Sequence, residues 1–164
     1  MVSKSGVALA GMLAAITFAL PHAAFAKAEL PGDPNALITD ELIQDIREWL
    51  ANPVVSLSIT SQNKLRKDMT QDQIDAADQQ WRAEREAEDQ PLVAAILTNP
   101  LSSYSTQIQA RSGGLFAEIF VMDSVGLNVG QSSITSDFWQ GDEAKFQNTF
   151  PNGPDAVFID EAEY

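Results

Sequence analysis

The chain of 164 residues has no cysteine and a single histidine, His22. Without cysteine it can form no disulfide, and it offers no thiolate as a metal ligand or nucleophile. His22 lies in an N-terminal stretch with the pattern of a cleaved leader, so the remaining chain also lacks the most common general base. These absences predict a protein that is not an enzyme, with no catalytic residues and no cofactor.

Basic side chains are scarce as well. Lys and Arg number 10 against 23 Asp and Glu, which gives a formal net charge of −13 and a pI of about 4.2. This balance repels nucleic acid and anionic lipid. The adjacent acids at 142–143 and 160–161 lack the alternating spacing of a calcium loop, so we interpret them as solvated charges and predict no metal site.

A long hydrophobic run is missing after the first 26 residues, so no membrane span is expected once that segment is removed. The segment has the pattern of a signal peptide: Lys4, an apolar stretch over 7–20, and then Ala24-Phe25-Ala26 as a small-residue cleavage site. Cleavage is expected after Ala26, which places the product in the periplasm. Residues 27–38, with their prolines and glycine, are predicted to form a flexible leader.

Helical patterns fill residues 39–112, with apolar residues three and four positions apart. The β-branched content of the second segment leaves a strand possible there. The glycines Gly113-Gly114 supply a stop. The expected helices are Thr39–Leu50, Val54–Leu65, a helix from the capping box Thr70–Gln73 to about Glu88, Leu92–Leu97, and Leu101–Arg111.

The periodicity changes over 115–164, where apolar and β-branched runs alternate with turn residues. This order predicts an α+β fold, with a helical N-terminal half packed on a small antiparallel sheet. The expected elements are a strand at Leu115–Met122, a turn at Asp123–Gly126, a strand at Leu127–Gln131, a helix at Phe138–Asn148 capped by Ser136 or Asp137, and a third strand at Ala156–Ile159.

The segment 136–145 is the strongest candidate for a site. Trp139 can form a flat apolar wall with one hydrogen-bond donor, and the carboxylate of Asp137 can fix an amine or a hydroxyl group. A purely structural interpretation remains beside it. In that interpretation Ser136 or Asp137 caps a helix, and Phe138 and Trp139 pack inward.

The hairpin and the segment after it resemble the Cache superfamily of extracytoplasmic sensor domains, also called PDC domains. The resemblance is carried by the pattern of apolar run, Asp-x-x-Gly and apolar run over 118–129, and by the segment Thr135–Phe146. It implies a single Cache domain over 39–164 with a PAS-like sheet. The ligand would lie between the sheet and the segment after the hairpin. Family pocket positions then correspond loosely to Phe120, Met122, Asn128, Asp137, Phe138 and Trp139.

The resemblance implies a non-enzymatic periplasmic sensor-type domain that binds a small polar metabolite and works with a separate membrane receptor. The family usually has two more strands after the one expected at Ala156–Ile159. Their absence leaves open a chain truncated at its C-terminus, which would be a non-functional sensor fragment. The main alternative is a structural or protein-interaction module that uses the exposed sheet edge. A hydrolase of unknown type is a weaker third.

Overall fold

The structure is a computed structural model, and it describes residues 38–160. The predicted signal peptide and nearly all of the predicted leader lie outside the described residues. The described part contains six helices and a two-stranded antiparallel sheet, which confirms the α+β class. The elements are α1 (Asp40–Leu50), α2 (Pro53–Arg66), α3 (Gln71–Glu84), α4 (Pro91–Leu97), α5 (Pro100–Arg111), β1 (Phe120–Met122), β2 (Asn128–Gln131), α6 (Ala144–Gln147) and a 3₁₀ turn (Phe150–Asn152).

Local capping determines where several of the helices begin. Each of the two Asn-Pro pairs starts a helix: Asn52 Oδ1 accepts the N–H of Val54 at 3.0 Å, and Asn99 Oδ1 accepts the N–H of Ser102 at 2.8 Å. The following proline suits the first helical position because its missing N–H would have no partner there. The predicted positions of α1, α2, α4 and α5 are confirmed, and α3 begins at the predicted capping box but ends four residues early.

Helix α4 is capped from another helix. Its own N-cap residue, Gln90, makes no side-chain cap bond. Instead Glu84 Oε2, at the end of α3, accepts the N–H groups of Leu92 at 2.7 Å and Val93 at 3.0 Å. Burial raises the pKa of Glu84, but the hydrogen bonds from Gln80, Val93 and Leu92 outweigh it, so this pKa lies below its usual value. An ionised carboxylate therefore joins α3 to α4.

The sheet lies directly on the helices. All four residues of β2 are buried, and Gly130 packs against Leu101 of α5. A Cβ at this glycine would lie 2.7 Å from Leu101 Cγ, so only glycine allows the helix to approach so closely. The strands pair Phe120 with Gln131 and Val121 with Gly130, and an irregularity in the register follows Val121.

The core has two parts, which involve different helices. Trp81 of α3 stacks on Phe138 at a centroid separation of 5.2 Å, in the part that joins α3 and α4 to the sheet. The other part joins α2, α5 and β2. Their buried members are Ile74, Trp81, Val93, Ile96, Leu127 and Phe138 in the first part, and Val55, Leu101 and Val129 in the second.

The first predicted strand is shorter than expected, because only Phe120–Met122 forms β1. The chain before it bonds to the end of α5 instead. Phe116 N–H donates to Ser112 Oγ at 3.1 Å, and Gln109 Nε2 donates to the carbonyl of Ala117. Side chains of the preceding helix therefore take backbone groups that a longer strand would have used for pairing.

The predicted helix Phe138–Asn148 is wrong in its first part, since α6 covers only Ala144–Gln147. Trp139 forms an antiparallel bridge with Leu127, and the N–H of Asn128 donates to the carbonyl of Phe138 at 3.0 Å. Neither Ser136 nor Asp137 caps a helix. The backbone groups at the start of the expected helix bond to the hairpin, and they do not form the hydrogen bonds of a helix.

The predicted third strand at Ala156–Ile159 is also wrong, because these residues pair with no strand in the described part of the chain. The N–H of Ala156 closes a turn onto the carbonyl of Gly153 at 3.1 Å. Val157 and Ile159 remain 49% and 43% exposed. The side chains of Val157, Phe158 and Ile159 line a groove beside α1 and do not extend the sheet.

Candidate functional site

The Asp-x-x-Gly turn of the hairpin is built around a buried carboxylate. Asp123 Oδ1 accepts the N–H groups of Val125 and Leu127, both at 3.0 Å, as expected for Asp in a turn. Its Oδ2 pairs with Arg66 Nη1 of α2 at 2.7 Å, and the Asp123 side chain has no exposed surface. Gly126 closes the turn with a φ of +83°. The carboxylate is thus fully occupied by the turn and by α2.

The chain after the hairpin is held by one face of α3. Asp78 Oδ1 accepts the N–H groups of Phe138 at 2.8 Å and Trp139 at 3.0 Å, and Asp78 Oδ2 accepts from Arg82 Nε at 2.8 Å. Arg82 Nη2 lies 2.7 Å from Asp137 Oδ1. One carboxylate on the helix therefore satisfies two consecutive backbone donors, and an arginine links it to the acid before them.

Two further side chains, from α3 and its C-cap residue, bind the carbonyls of the same segment. Trp81 Nε1 donates to the carbonyl of Thr135 at 3.0 Å, and Arg85 Nη1 donates to the carbonyl of Ser136 at 2.9 Å. We call residues 135–139 the clamped segment, because side chains of α3 and its C-cap bind it from end to end. Asp78 binds the end of the segment, and Trp81 and Arg85 bind its beginning.

Asp78 carries a negative charge in this arrangement. Desolvation raises the pKa of Asp78, but the backbone of Trp139, the side chain of Arg82 and the backbone of Phe138 all donate to it and hold this pKa below its usual value. The carboxylate is therefore ionised at neutral pH. No local pattern predicts this role, since the partners lie 60 residues away.

The six residues predicted to form the site fall into two groups. Phe120 and Met122 lie two positions apart on β1, and Lys145 Nζ lies 5.2 Å from the Phe120 ring centroid. Both side chains are half-buried. A ligand contact from either residue stays a prediction.

The other four predicted residues are engaged within the protein. Asn128 is buried, and its Nδ2 donates to Gln131 Oε1 and Thr135 Oγ1, both at 3.0 Å. Asp137 pairs with an arginine of α3, and Phe138 is core. The indole N–H of Trp139 donates to the carbonyl of Val125 at 2.9 Å. These four residues therefore fix the hairpin and the clamped segment, and a direct ligand contact from them stays a prediction.

A cleft of about 490 Å³ opens between the end of the hairpin and the chain from α6 onward. Its size falls within the usual range of small-molecule pockets, ~300–1,000 Å³. Of the six predicted residues Met122 lines it. Phe146 and Phe150 form the aromatic wall of the cleft and were not predicted as site residues. Their four-residue spacing in the sequence was the available signal. The lining residues are Met122, Asp123, Phe146, Thr149, Phe150, Gly153, Pro154 and Ala156.

Arg47 of α1 holds the far side of this cleft. Its guanidinium donates to the carbonyls of Pro154 at 3.4 Å and Asp155 at 3.0 Å. Another groove, of about 420 Å³ and lined by apolar residues, lies along the same helix. It is lined by Ile38, Leu42, Ile43, Ile46, Leu115, Phe116, Val157, Phe158 and Ile159.

Within residues 38–160, no group of three or more acidic, histidine or cysteine side chains is arranged to hold a metal ion. In the same range, every helix is too short or too polar to cross a membrane. The apolar side chains that line the cleft offer apolar contact and aromatic stacking.

No protein-family model, curated protein or solved structure matches this chain. The resemblance to Cache domains therefore rests on the hairpin pattern and on the segment that follows it.

Proposed function

We propose that this protein is an exported, non-catalytic domain that binds a small molecule in the cleft beside its hairpin. The observation that carries the proposal is the cleft itself, whose lining includes Met122 of β1, Phe146 of α6, Phe150 and Ala156. Concave, mainly apolar pockets of this size are the usual form of a ligand site.

The architecture around the cleft supports a sensor-type domain with a PAS-like fold. The resemblance to Cache domains expects the ligand between the hairpin strands and the chain after them. Here the clamped segment leads from the hairpin into α6, which supplies Phe146 to the cleft. The proposed protein is periplasmic and passes ligand occupancy to a separate membrane receptor.

A thermal-shift screen of organic acids, amino acids, amines and neutral ring compounds tests the proposal. A ligand present at about 100 times its Kd stabilises the folded state by ~2.7 kcal/mol. For a domain of this size that raises Tm by roughly 5–15 °C. If every compound class leaves Tm unchanged, the proposed function fails.

Matched substitutions locate the binding. Ala156 lines the cleft, so Ala156→Phe fills it and should abolish the ligand-induced shift. Ala95 is exposed on α4, and Ala95→Phe should leave the shift intact. A ligand whose shift survives Ala156→Phe binds elsewhere, which would contradict the assignment of the cleft.

Export has its own test. N-terminal sequencing of protein recovered from the periplasm should begin at Lys27, directly after the expected cleavage site. Recovery only from the cytoplasm, with Met1 retained, would refute the periplasmic part of the proposal while leaving the binding measurements unaffected.

A further inference from the structure

The wall of the cleft presents an aromatic surface to solvent. Phe146 and Phe150 stack with centroids 5.0 Å apart and an interplanar angle of 16°. Thr149 Oγ1 donates to the carbonyl of Lys145 at 2.5 Å, which ties the turn carrying Phe150 back to α6. Phe150 nevertheless remains 55% exposed. A large ring held in place but left in water is a ready partner for another apolar ring.

The other apolar residues of the lining suit such a ring as well. Met122 belongs to β1, and a thioether makes favourable contacts with aromatic rings. Pro154 and Ala156 add small apolar surfaces, and Arg47 of α1 donates to the carbonyl of Pro154. The lining of the cleft therefore combines an aromatic wall with further apolar surface.

The polar groups among the lining residues are already engaged. The Asp123 carboxylate accepts from Arg66 and from two backbone N–H groups, and its side chain has no exposed surface. The Thr149 hydroxyl donates its hydrogen to the carbonyl of Lys145. A ligand that depends on a charged group would gain no direct ion pair from these residues.

Lys145, which directly precedes Phe146 of the aromatic wall, is also paired. Lys145 Nζ lies 2.7 Å from Glu143 Oε2 and 3.2 Å from Gln140 Oε1. The chain as a whole carries a formal net charge of −13, which opposes the approach of anions. A carboxylate ligand would have to displace Glu143 from the lysine.

We propose that the cleft binds a flat, uncharged aromatic ring, which stacks on the Phe146–Phe150 wall and contacts Met122. This inference rests on the proposed function and specifies the class of ligand. It departs from the small polar metabolite that the sequence suggests, because the cleft offers ring contacts and no unpaired charge among its lining residues.

The proposed aromatic class of ligand is tested with three probes, benzyl alcohol, cyclohexylmethanol and benzoate. The first two share a hydroxymethyl group and differ in ring flatness, while benzoate adds a negative charge. Protein with ¹³C-labelled methionine methyl groups reports binding by NMR, with Met122 in the cleft and Met69 at the core as internal reference. Benzyl alcohol should shift the Met122 methyl resonance, and its affinity should exceed that of each other probe about 2- to 10-fold.

Matched variants show whether the ring of Phe150 is responsible. Phe150→Leu keeps an apolar side chain in the cleft and should weaken benzyl alcohol binding about 2- to 10-fold. Phe158→Leu makes the same change in the groove along α1 and should leave it unaltered. Methyl spectra of both variants should retain the Met69 position, which shows that the core is intact.

The outcomes separate the inference from the proposed function. Equal or stronger binding of cyclohexylmethanol or benzoate at Met122 overturns the aromatic class and keeps the cleft as a ligand site. A response to amino acids or organic acids, with none to the neutral ring, does the same. If neither the probes nor the compounds of the thermal-shift screen shift the Met122 methyl resonance, the aromatic class and the proposed function are both overturned.

Discussion

Replacing Asp78 with alanine should detach the clamped segment from α3. The carboxylate accepts the N–H groups of Phe138 and Trp139 and pairs with Arg82. Alanine leaves both backbone donors without an acceptor in a largely buried place. It also leaves Arg82 with Asp137 as its remaining acidic partner at this site.

The size of the effect follows from the two backbone N–H groups that lose their acceptor. An unsatisfied buried N–H costs about 1–3 kcal/mol, and the N–H of Trp139 is only partly buried. The better helix propensity of alanine returns roughly 0.5 kcal/mol. The expected loss is therefore about 2–4 kcal/mol, against a total stability of typically ~5–15 kcal/mol for a domain.

Urea unfolding followed by tryptophan fluorescence and by circular dichroism measures the loss. Asp75→Ala is the matched control, because Asp75 is exposed on the same helix and accepts a hydrogen bond from Gln71, one turn earlier. It should change stability by less than about 0.5 kcal/mol. If Asp78→Ala fails to fold, Asp78→Asn keeps one acceptor oxygen and should give an intermediate loss. Equal stabilities for the Asp75 and Asp78 variants would refute the clamp.

Three further outcomes are expected. Gly126→Ala should cost about 2–4 kcal/mol in urea unfolding, because the residue has a left-handed φ and the new Cβ would lie 2.5 Å from a backbone carbon. Gly113 is also left-handed but lies in open space, so Gly113→Ala should cost only ~1 kcal/mol. Arg66→Leu should cost about 3–5 kcal/mol by leaving the Asp123 carboxylate buried without its cation, and adding Asp123→Asn should recover part of it. Because the pKa of Glu84 is lowered on folding, the stabilisation from its carboxylate is present above the unfolded-state pKa and is lost as the pH falls through the folded-state pKa. Glu84→Gln should flatten this acid limb of the stability curve.

Local patterns were enough to predict the elements whose hydrogen bonds close within a few residues. The capping box at Thr70 and Gln73 is present with both of its bonds. The turn at Asp123 and Gly126 forms as expected, with the carboxylate bonded two and four residues on. In each case donor and acceptor are neighbours in sequence, so residue type and spacing alone determine the geometry.

The wrong predictions fall where the partner is distant in sequence. A helix was expected from Phe138 because its start has good capping residues, but Asp78 and the hairpin compete for the same N–H groups and hold them in another geometry. A strand was expected at Ala156–Ile159 from its apolar run, yet a strand requires a neighbour to pair with. The cleft was missed for the same reason, since its walls come from β1 and from residues 146–156.

The clamp gives α3 influence over a cleft that it does not line. The clamped segment ends at Trp139, and Gln147 Nε2 of α6 donates to the carbonyl of Gly141 just beyond it. The N–H of Glu143 donates to the carbonyl of Gln140 at 3.2 Å. A series of hydrogen bonds therefore connects α3 through this turn to α6, the helix that carries Phe146. Under the proposed binding function, a ligand that holds α6 in place would also favour the clamped state, and by linkage the clamp would strengthen ligand binding by the same free energy.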